Sequence, residues 1–225
     1  MTSNPKKLLQ KIFATNRRIL VNQSISSIEI DKSWRKILVV GAGNDPYRDL
    51  FDDLDLYVRL DIVVKKGIVD VVADAHNLPF QADSFDCIMA IEVFEHLENP
   101  DLFINEAYRV LKSSKSIFLS IPFMFHEHGD PYDFVRPTKF LLEKYCKNFS
   151  KLEIRSQGSR IHVILDFIST SKSFFGLLRF LRIFNHFVCL FKSKSHTTAP
   201  SGYFIKATKW QEKNYYLLSI SQIFL

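Results

Sequence analysis

Short unbroken apolar runs and helically spaced apolar positions alternate along the first two thirds of this chain. The runs predict strands over 36–40, 56–62, 68–73, 85–91 and 116–121, with two more over 151–157 and 202–208. Helical spacing predicts helices over about 46–53, 100–112 and 138–148, the second opened by Asn99-Pro100-Asp101, with proline in the first turn and an acid near the positive end. Strand and helix in turn imply parallel strands joined by right-handed crossovers. Ahead of them, residues 5–21 read as a basic amphipathic helix, with Leu8, Leu9, Ile12, Phe13, Ile19 and Leu20 near helical spacing and Lys6, Lys7, Lys11, Arg17 and Arg18 on other faces. Between the sixth and seventh strands, residues 174–191 form a largely apolar stretch in which Arg179, Arg182 and His186 fall on one stripe. Two central arginines argue against a membrane-spanning helix and suit one lying in a membrane interface; the alternatives are that it packs on the sheet, roofs the active site, or pairs with a second copy in a homodimer.

The first strand runs into Gly41-Ala42-Gly43-Asn44, and an acid, Asp61, stands at the end of the second. Glycines there let the backbone turn tightly and approach a ligand, and a carboxylate at the second strand tip can accept from both hydroxyls of a ribose. Asp45 and Asp49 occupy the first turn of the predicted helix, which is poor for a diphosphate and acceptable for a neutral or cationic nucleoside. After the third strand, Asp74-Ala75 offers a carboxylate and an amide to an adenine.

The ordered set Gly41-Ala42-Gly43, Asp61, Asp74-Ala75, Leu78-Pro79-Phe80, Asp83 to Ala90, Glu92-Val93-Phe94-Glu95-His96-Leu97 and Glu106 to Lys112 resembles the class I S-adenosylmethionine-dependent methyltransferases, in particular their type 11 group. The resemblance covers about residues 36–158 and a last strand at 202–208. It implies an α/β, Rossmann-like fold with a mostly parallel seven-stranded sheet and helices on both faces, here with an N-terminal helix and an insertion before the last strand. By domain, residues 1–30 are the N-terminal helical segment, 31–158 with 201–209 the cofactor-binding domain, 159–200 the insertion and 210–225 a tail. The cofactor implied is S-adenosyl-L-methionine, held by Gly41, Ala42, Gly43, Asp61, Asp74, Ala75 and Glu92. Three departures stand out: Val39 replaces the usual acid two residues before the first glycine, a third glycine is absent, and Ser113-Ser114-Lys115 replaces a Pro-Gly-Gly turn.

The loop after the fifth strand, Pro122 to Thr138, carries His126, His128, Asp130, Asp133 and Arg136. It resembles the His–Pro–Asp-Phe-x-Arg-x-Thr stretch of glycan-cluster members of that group. A base that takes a hydroxyl proton is expected among His126, His128 and Asp130, with Arg136 holding the loop or a substrate anion. Alternate spacing also permits a two-histidine, one-carboxylate metal site, the weaker reading, and none is assigned. The resemblance implies methyl transfer to a hydroxyl of a sugar or lipid-linked saccharide in polysaccharide biosynthesis. A quinone or lipid-ring acceptor, or a non-catalytic scaffold that keeps the fold, are the competing readings.

Composition refines this. With 47% hydrophobic residues, 21 of all residues being phenylalanine, the 225-residue chain is not disordered. Cys87, Cys146 and Cys189 are too far apart in sequence for a disulfide framework or zinc motif, and no signal peptide is read. The net charge of +6 is split: +6 over residues 1–36, −10 over 37–136 and +10 over 137–225. Basic ends around an acidic core point to an anionic partner, either a polyanion or a phospholipid surface, the latter being the inner membrane face met by 5–21 and 174–194 from the cytoplasm; basic ends that only keep a Phe-rich protein soluble are the plainer alternative. Nucleic acid is disfavoured because no Asn/Asp-Pro-Pro-Tyr motif follows the fourth strand.

Overall fold

The computed structural model describes residues 9, 12–129, 132–170, 182–190 and 199–211. A seven-stranded sheet in the order β3-β2-β1-β4-β5-β7-β6 forms its centre. Its strands are β1 (Lys36–Val40), β2 (Leu56–Asp61), β3 (Val71–Val72), β4 (Phe85–Ile91), β5 (Leu111–Pro122), β6 (Lys151–Gln157) and β7 (Gly202–Thr208). β1 to β5 pair in parallel, whereas β7 runs antiparallel to both β5 and β6. The order reverses at β1, which has β2 on one side and β4 on the other. In open α/β sheets a ligand crevice opens at that switch point, beyond the carboxyl ends of the strands.

Both faces are covered, so the central strands have no polar side. Leu38, Val40, Ile88 and Ala90 pack with Phe103, Ile104 and Ala107 of helix α2 (Pro100–Val110) and Leu142 of α3 (Lys139–Tyr145). Ile37, Val39, Cys87 and Met89 point the other way, into a cluster with Trp34, Phe118 and Val21 and Ile25 of α1 (Asn16–Ser26). Two further helices, α4 (Arg160–Thr170) and the short α5 (Asn185–Val188), pack against α1.

Several expected elements differ. In place of a helix over 46–53 there is a single 3-10 turn, Arg48–Leu50. Asp45 and Asp53 take left-handed φ of 39° and 49°, and the acids Asp52, Asp53 and Asp55 would stand at the negative end of such a helix. Phe51 is instead drawn under Trp34 and Tyr57. The first helix does not run through 5–21. The chain breaks at Ala14-Thr15, where the Thr15 hydroxyl accepts from the Arg18 amide and caps α1, and Arg17 is buried rather than on an outer face. Strand 68–73 contracts to β3, because Asp70 turns back to accept from the Arg59 amide and guanidinium. β5 begins at Leu111, with Ser114 left-handed at φ 62° where the turn was expected. α3 closes by Tyr145, and of the stretch 174–191 only 182–190 lies within the described residues.

Candidate functional site

At the carboxyl end of β1, Gly41 and Gly43 adopt φ of +63° and +55°. Their environments differ. A Cβ on Gly41 would stand 2.3 Å from a methyl of Val93, so this turn is pressed against the β4 tip, whereas one on Gly43 would meet nothing nearer than 3.8 Å. Asp61, at the tip of β2, is fixed by backbone: its Oδ2 accepts from the Gly43 amide at 3.0 Å and its Oδ1 from the Val63 amide at 3.0 Å. A carboxylate oxygen can accept more than one hydrogen bond, so both remain available to a pair of vicinal hydroxyls. Beside it Ile62, Val63 and Val64 are exposed by 51% or more, an apolar ledge of the kind a purine face covers. Asp74 lies on the same rim. Its Oδ1 accepts from the His76 amide (2.9 Å) and lies 2.6 Å from the ring Nδ1, while Oδ2 makes no hydrogen bond among the described residues. The tips of β1, β2 and β3 thus bring a glycine turn and two carboxylates to the carboxyl edge of the sheet. Ala75 is buried directly behind Asp74, and Val39 is buried in the core, so no acid from that position reaches the rim.

Glu92, at the end of β4, has a left-handed φ of 56° and is engaged within the protein. The buried Arg17 guanidinium pairs with both of its oxygens, Nε donating to Oε2 at 2.9 Å, and Ser120 Oγ donates to Oε1 at 2.8 Å. Burial pushes this carboxyl up, but Arg17 and Ser120 outweigh it and hold it below the usual range. Arg17 also donates to Gln157 Oε1 at 2.6 Å and lies in a slot at Gly202, where a Cβ would stand 2.2 Å from its Nη1. This clamp was not read from the sequence; the only available signal was an arginine in an otherwise apolar register of α1.

The loop after β5 is folded back onto the β4 tip. The Phe134 and Val135 amides donate to the Glu95 carbonyl at 2.8 and 3.3 Å. Asp133 organises the loop, accepting a bidentate pair from Arg136 and the His128 amide at 3.0 Å. Burial raises the Asp133 carboxyl, yet these donors bring it below its ordinary value. Arg136 thus holds the loop. His126 stacks on Phe125 at 4.2 Å between centroids, and its Nδ1 lies 3.2 Å from Thr170 Oγ1. That hydroxyl donates its proton to the Asp166 carbonyl at 2.6 Å, so it accepts from His126 Nδ1–H and leaves Nε2 as the imidazole lone pair. Burial, then His128, lowers the His126 pKa, favouring the neutral ring. Asp130 lies outside the described residues.

The loop also brings His128 to His96 and Glu95, which the sequence reading did not connect. Their rings lie 5.2 Å apart, and one ligand atom from each of Glu95, His96 and His128 falls within 4.8 Å of the others. Both Glu95 carboxylate oxygens are buried without a hydrogen bond. Burial, followed by the charge of Glu92, pushes this carboxyl up to about 8.

The β2 acid lies within a family match: the model described as "Methyltransferase domain" matches residues 50–119, a range that begins after the β1 glycine turn. The chain has a class I methyltransferase fold. A crystal structure of an S-adenosylmethionine-dependent methyltransferase from Archaeoglobus fulgidus superposes on this methyltransferase fold with a TM-score of 0.58 at 17% identity, covering 92% of this chain and all of the other. Among curated proteins, an uncharacterised protein of Methanocaldococcus jannaschii is 32% identical over 109 residues, 44% of this chain and 53% of that protein. Norajmaline N-methyltransferase of Rauvolfia serpentina is 30% identical over 80 residues, 35% of this chain and 27% of that enzyme. The matched portion thus spans about half of the first relative and about a quarter of the second.

Proposed function

We propose that the protein is an S-adenosylmethionine-dependent methyltransferase acting on a hydroxyl of a sugar or lipid-linked saccharide. The observation that carries the cofactor is the Gly43 amide bonded to Asp61 at 3.0 Å, which sets a glycine turn and a ribose-type acceptor side by side at the switch point of a methyltransferase fold. When bound, S-adenosylmethionine supplies a methyl carbon on a sulfonium: an oxygen–carbon bond forms as the carbon–sulfur bond breaks, and a neutral thioether leaves. Asp61 takes the ribose hydroxyls, and Asp74 with the Ala75 amide takes the adenine. The folded loop 123–137 shields the acceptor from water and orients it, which is most of what an in-line displacement asks of a protein. His126 Nε2 takes the hydroxyl proton, and Arg136, through Asp133, holds the loop that positions it.

The saccharide acceptor is supported by the polar side chains His126, His128, Asp133 and Arg136 of the loop after β5. Contact with an anionic membrane surface is supported by the basic ends, by exposed Ile161, Ile164 and Phe167 on α4, and by exposed Phe184 and Phe187. Among the described residues no helix is long and apolar enough to cross a membrane.

Calorimetric titration with S-adenosylmethionine and S-adenosylhomocysteine tests the cofactor. We expect saturable binding by wild type and at least a tenfold loss in Asp61→Ala; absence of binding at millimolar ligand would leave only a scaffold role. Labelled methyl transfer into lipid and polysaccharide fractions then tests the acceptor.

A further inference from the structure

We propose that Glu95, His96 and His128 form a binding site for one transition-metal dication, which would hold the acceptor's hydroxyl oxygens beside the transferred methyl group. Its assigned role rests on the methyltransferase reading above; the presence of the cation does not.

Glu95 is the starting point. Its side chain is fully buried, and neither carboxylate oxygen has a hydrogen-bond partner. Such a group is rare in folded proteins, because a buried carboxylate needs donors, a counter-charge or a metal. Its nearest cationic or ligating neighbour is His96, with Nε2 3.7 Å from Oε1. The tautomer of His96 is set from behind. Nδ1 lies 2.5 Å from the Tyr132 carbonyl, which can only accept, so Nδ1 carries the proton and the Nε2 lone pair faces Glu95. A backbone carbonyl on the far nitrogen is the usual support of a metal-bound imidazole.

His128 completes the set from the loop. Its amide donates to Asp133 Oδ2, and its Nδ1 lies 3.4 Å from the same oxygen and accepts from Arg136 Nη2 at 3.5 Å; with a metal on Nε2 the ring proton would move to Nδ1, where it faces that carboxylate. The Arg136 guanidinium, 3.5 Å from that Nδ1, is neutralised by its bidentate pair with Asp133 and adds little repulsion to a cation. Donors at about 2 Å from one metal stand about 3 to 3.5 Å apart, so the 3.7 Å pair is nearly in place. The third donor lies within 4.8 Å, and closing to the metal asks His128 to move by about 1 Å, which a loop residue can do.

Two imidazoles with one carboxylate select imidazole-binding dications such as Co²⁺, Mn²⁺, Fe²⁺ or Zn²⁺ over Mg²⁺ or Ca²⁺, which take oxygen ligands. Three protein ligands leave open positions. A saccharide with neighbouring hydroxyls can fill them, and a metal-bound hydroxyl gives up its proton more easily. With His128 on the metal, His126, whose ring centre lies 6.0 Å from that of His128, is the remaining imidazole for that proton.

Tag-free protein treated with a chelator and dialysed would be titrated with Co²⁺, following both heat and visible absorption, with metal content read by mass spectrometry. We expect one equivalent to bind, Mg²⁺ in excess not to displace it, and His128→Ala and His96→Ala each to weaken it at least tenfold. Glu95→Gln should lose it as well; because that change is fully buried, the half-buried loop variant His128→Ala carries the conclusion if Glu95→Gln does not fold. S-adenosylmethionine binding, measured in parallel on His128→Ala, separates the two claims. No saturable Co²⁺ binding at millimolar metal, binding unchanged in both histidine variants, or a preference for Mg²⁺ would overturn the cation site while donor binding stands. Metal bound with no donor binding would leave the site and remove its role.

Discussion

At the scale of single residues, the two glycines of the first turn have different work, and substitution should separate it. Alanine at Gly41 brings a Cβ to 2.3 Å from the Val93 side chain and must also hold a left-handed φ of +63°, so it disturbs the β4 tip itself. Alanine at Gly43 meets only open space at 3.8 Å and bears the left-handed strain alone, about 1 to 2 kcal/mol. We therefore expect Gly43→Ala to fold with a modest fall in denaturation midpoint yet to lose at least tenfold in S-adenosylmethionine affinity, because the added carbon stands where the nucleoside approaches. Gly41→Ala should be markedly less stable. Equal donor affinity in folded Gly43→Ala and wild type would refute the turn as the ligand platform. The positions of the glycine pair and Asp61 were legible in sequence because each stands at the end of an apolar run. Glu95 and Arg17 were not. Their meaning lies in partners far along the chain: Arg17 meets Glu92 and Gln157, and Glu95 meets His128 only when the loop after β5 folds back.

At the scale of elements, the strands were the most legible part, because a parallel sheet buried on both faces leaves unbroken apolar runs that admit few other readings. The 46–53 segment was misread because its acids suit a helix start in isolation, while tertiary packing of Phe51 and the left-handed Asp45 and Asp53 decide otherwise. The joint between α1 and α4 was invisible for a related reason: it is made by one polar residue in an apolar helix. Asp166 accepts from the Asn16 and Arg17 amides at 2.7 and 2.8 Å, tying the first turn of α1 to α4. Burial nevertheless dominates its two amide donors and pushes its carboxyl up to about 6, from 3.8 in an exposed chain. The folded protein then binds this proton more tightly than the unfolded chain, so stability falls as pH rises from about 4 through about 6 and the penalty is complete above that. Chemical denaturation of wild type and Asp166→Asn at pH 4.5 and pH 7 measures it. The amide variant keeps one acceptor oxygen and has no charge to bury. Its stability relative to wild type should improve on going to pH 7 by on the order of 2 kcal/mol. A difference between the two proteins that does not change with pH would disprove this assignment.

At the scale of the whole molecule, charge and exposed apolar surface are arranged together. The acidic centre of the sequence carries the crevice, and α1, α4 and α5, which come from the two sides of it, pack on one another. That assembly leaves Ile161, Ile164 and Phe167 exposed at helical spacing on α4, and Phe184 and Phe187 are 58% and 62% exposed. Isolated exposed apolar residues are ordinary, but several on helices that pack together, in segments whose sequence carries excess lysine and arginine, suit an anionic bilayer surface, where burial of rings and attraction to headgroups add. A lipid-linked acceptor would reach the crevice from such a surface. We expect the protein to float with vesicles containing an anionic phospholipid and to remain behind with zwitterionic ones, with flotation weakening as salt rises, since charge attraction is screened. The Phe184→Asp, Phe187→Asp double variant changes two exposed side chains that are not among the residues assigned to donor binding. It should lose flotation and retain donor binding. Flotation of that variant equal to wild type, or wild-type flotation indifferent to lipid charge, would rule out the membrane surface and leave the exposed rings to a protein partner or a second copy of the chain.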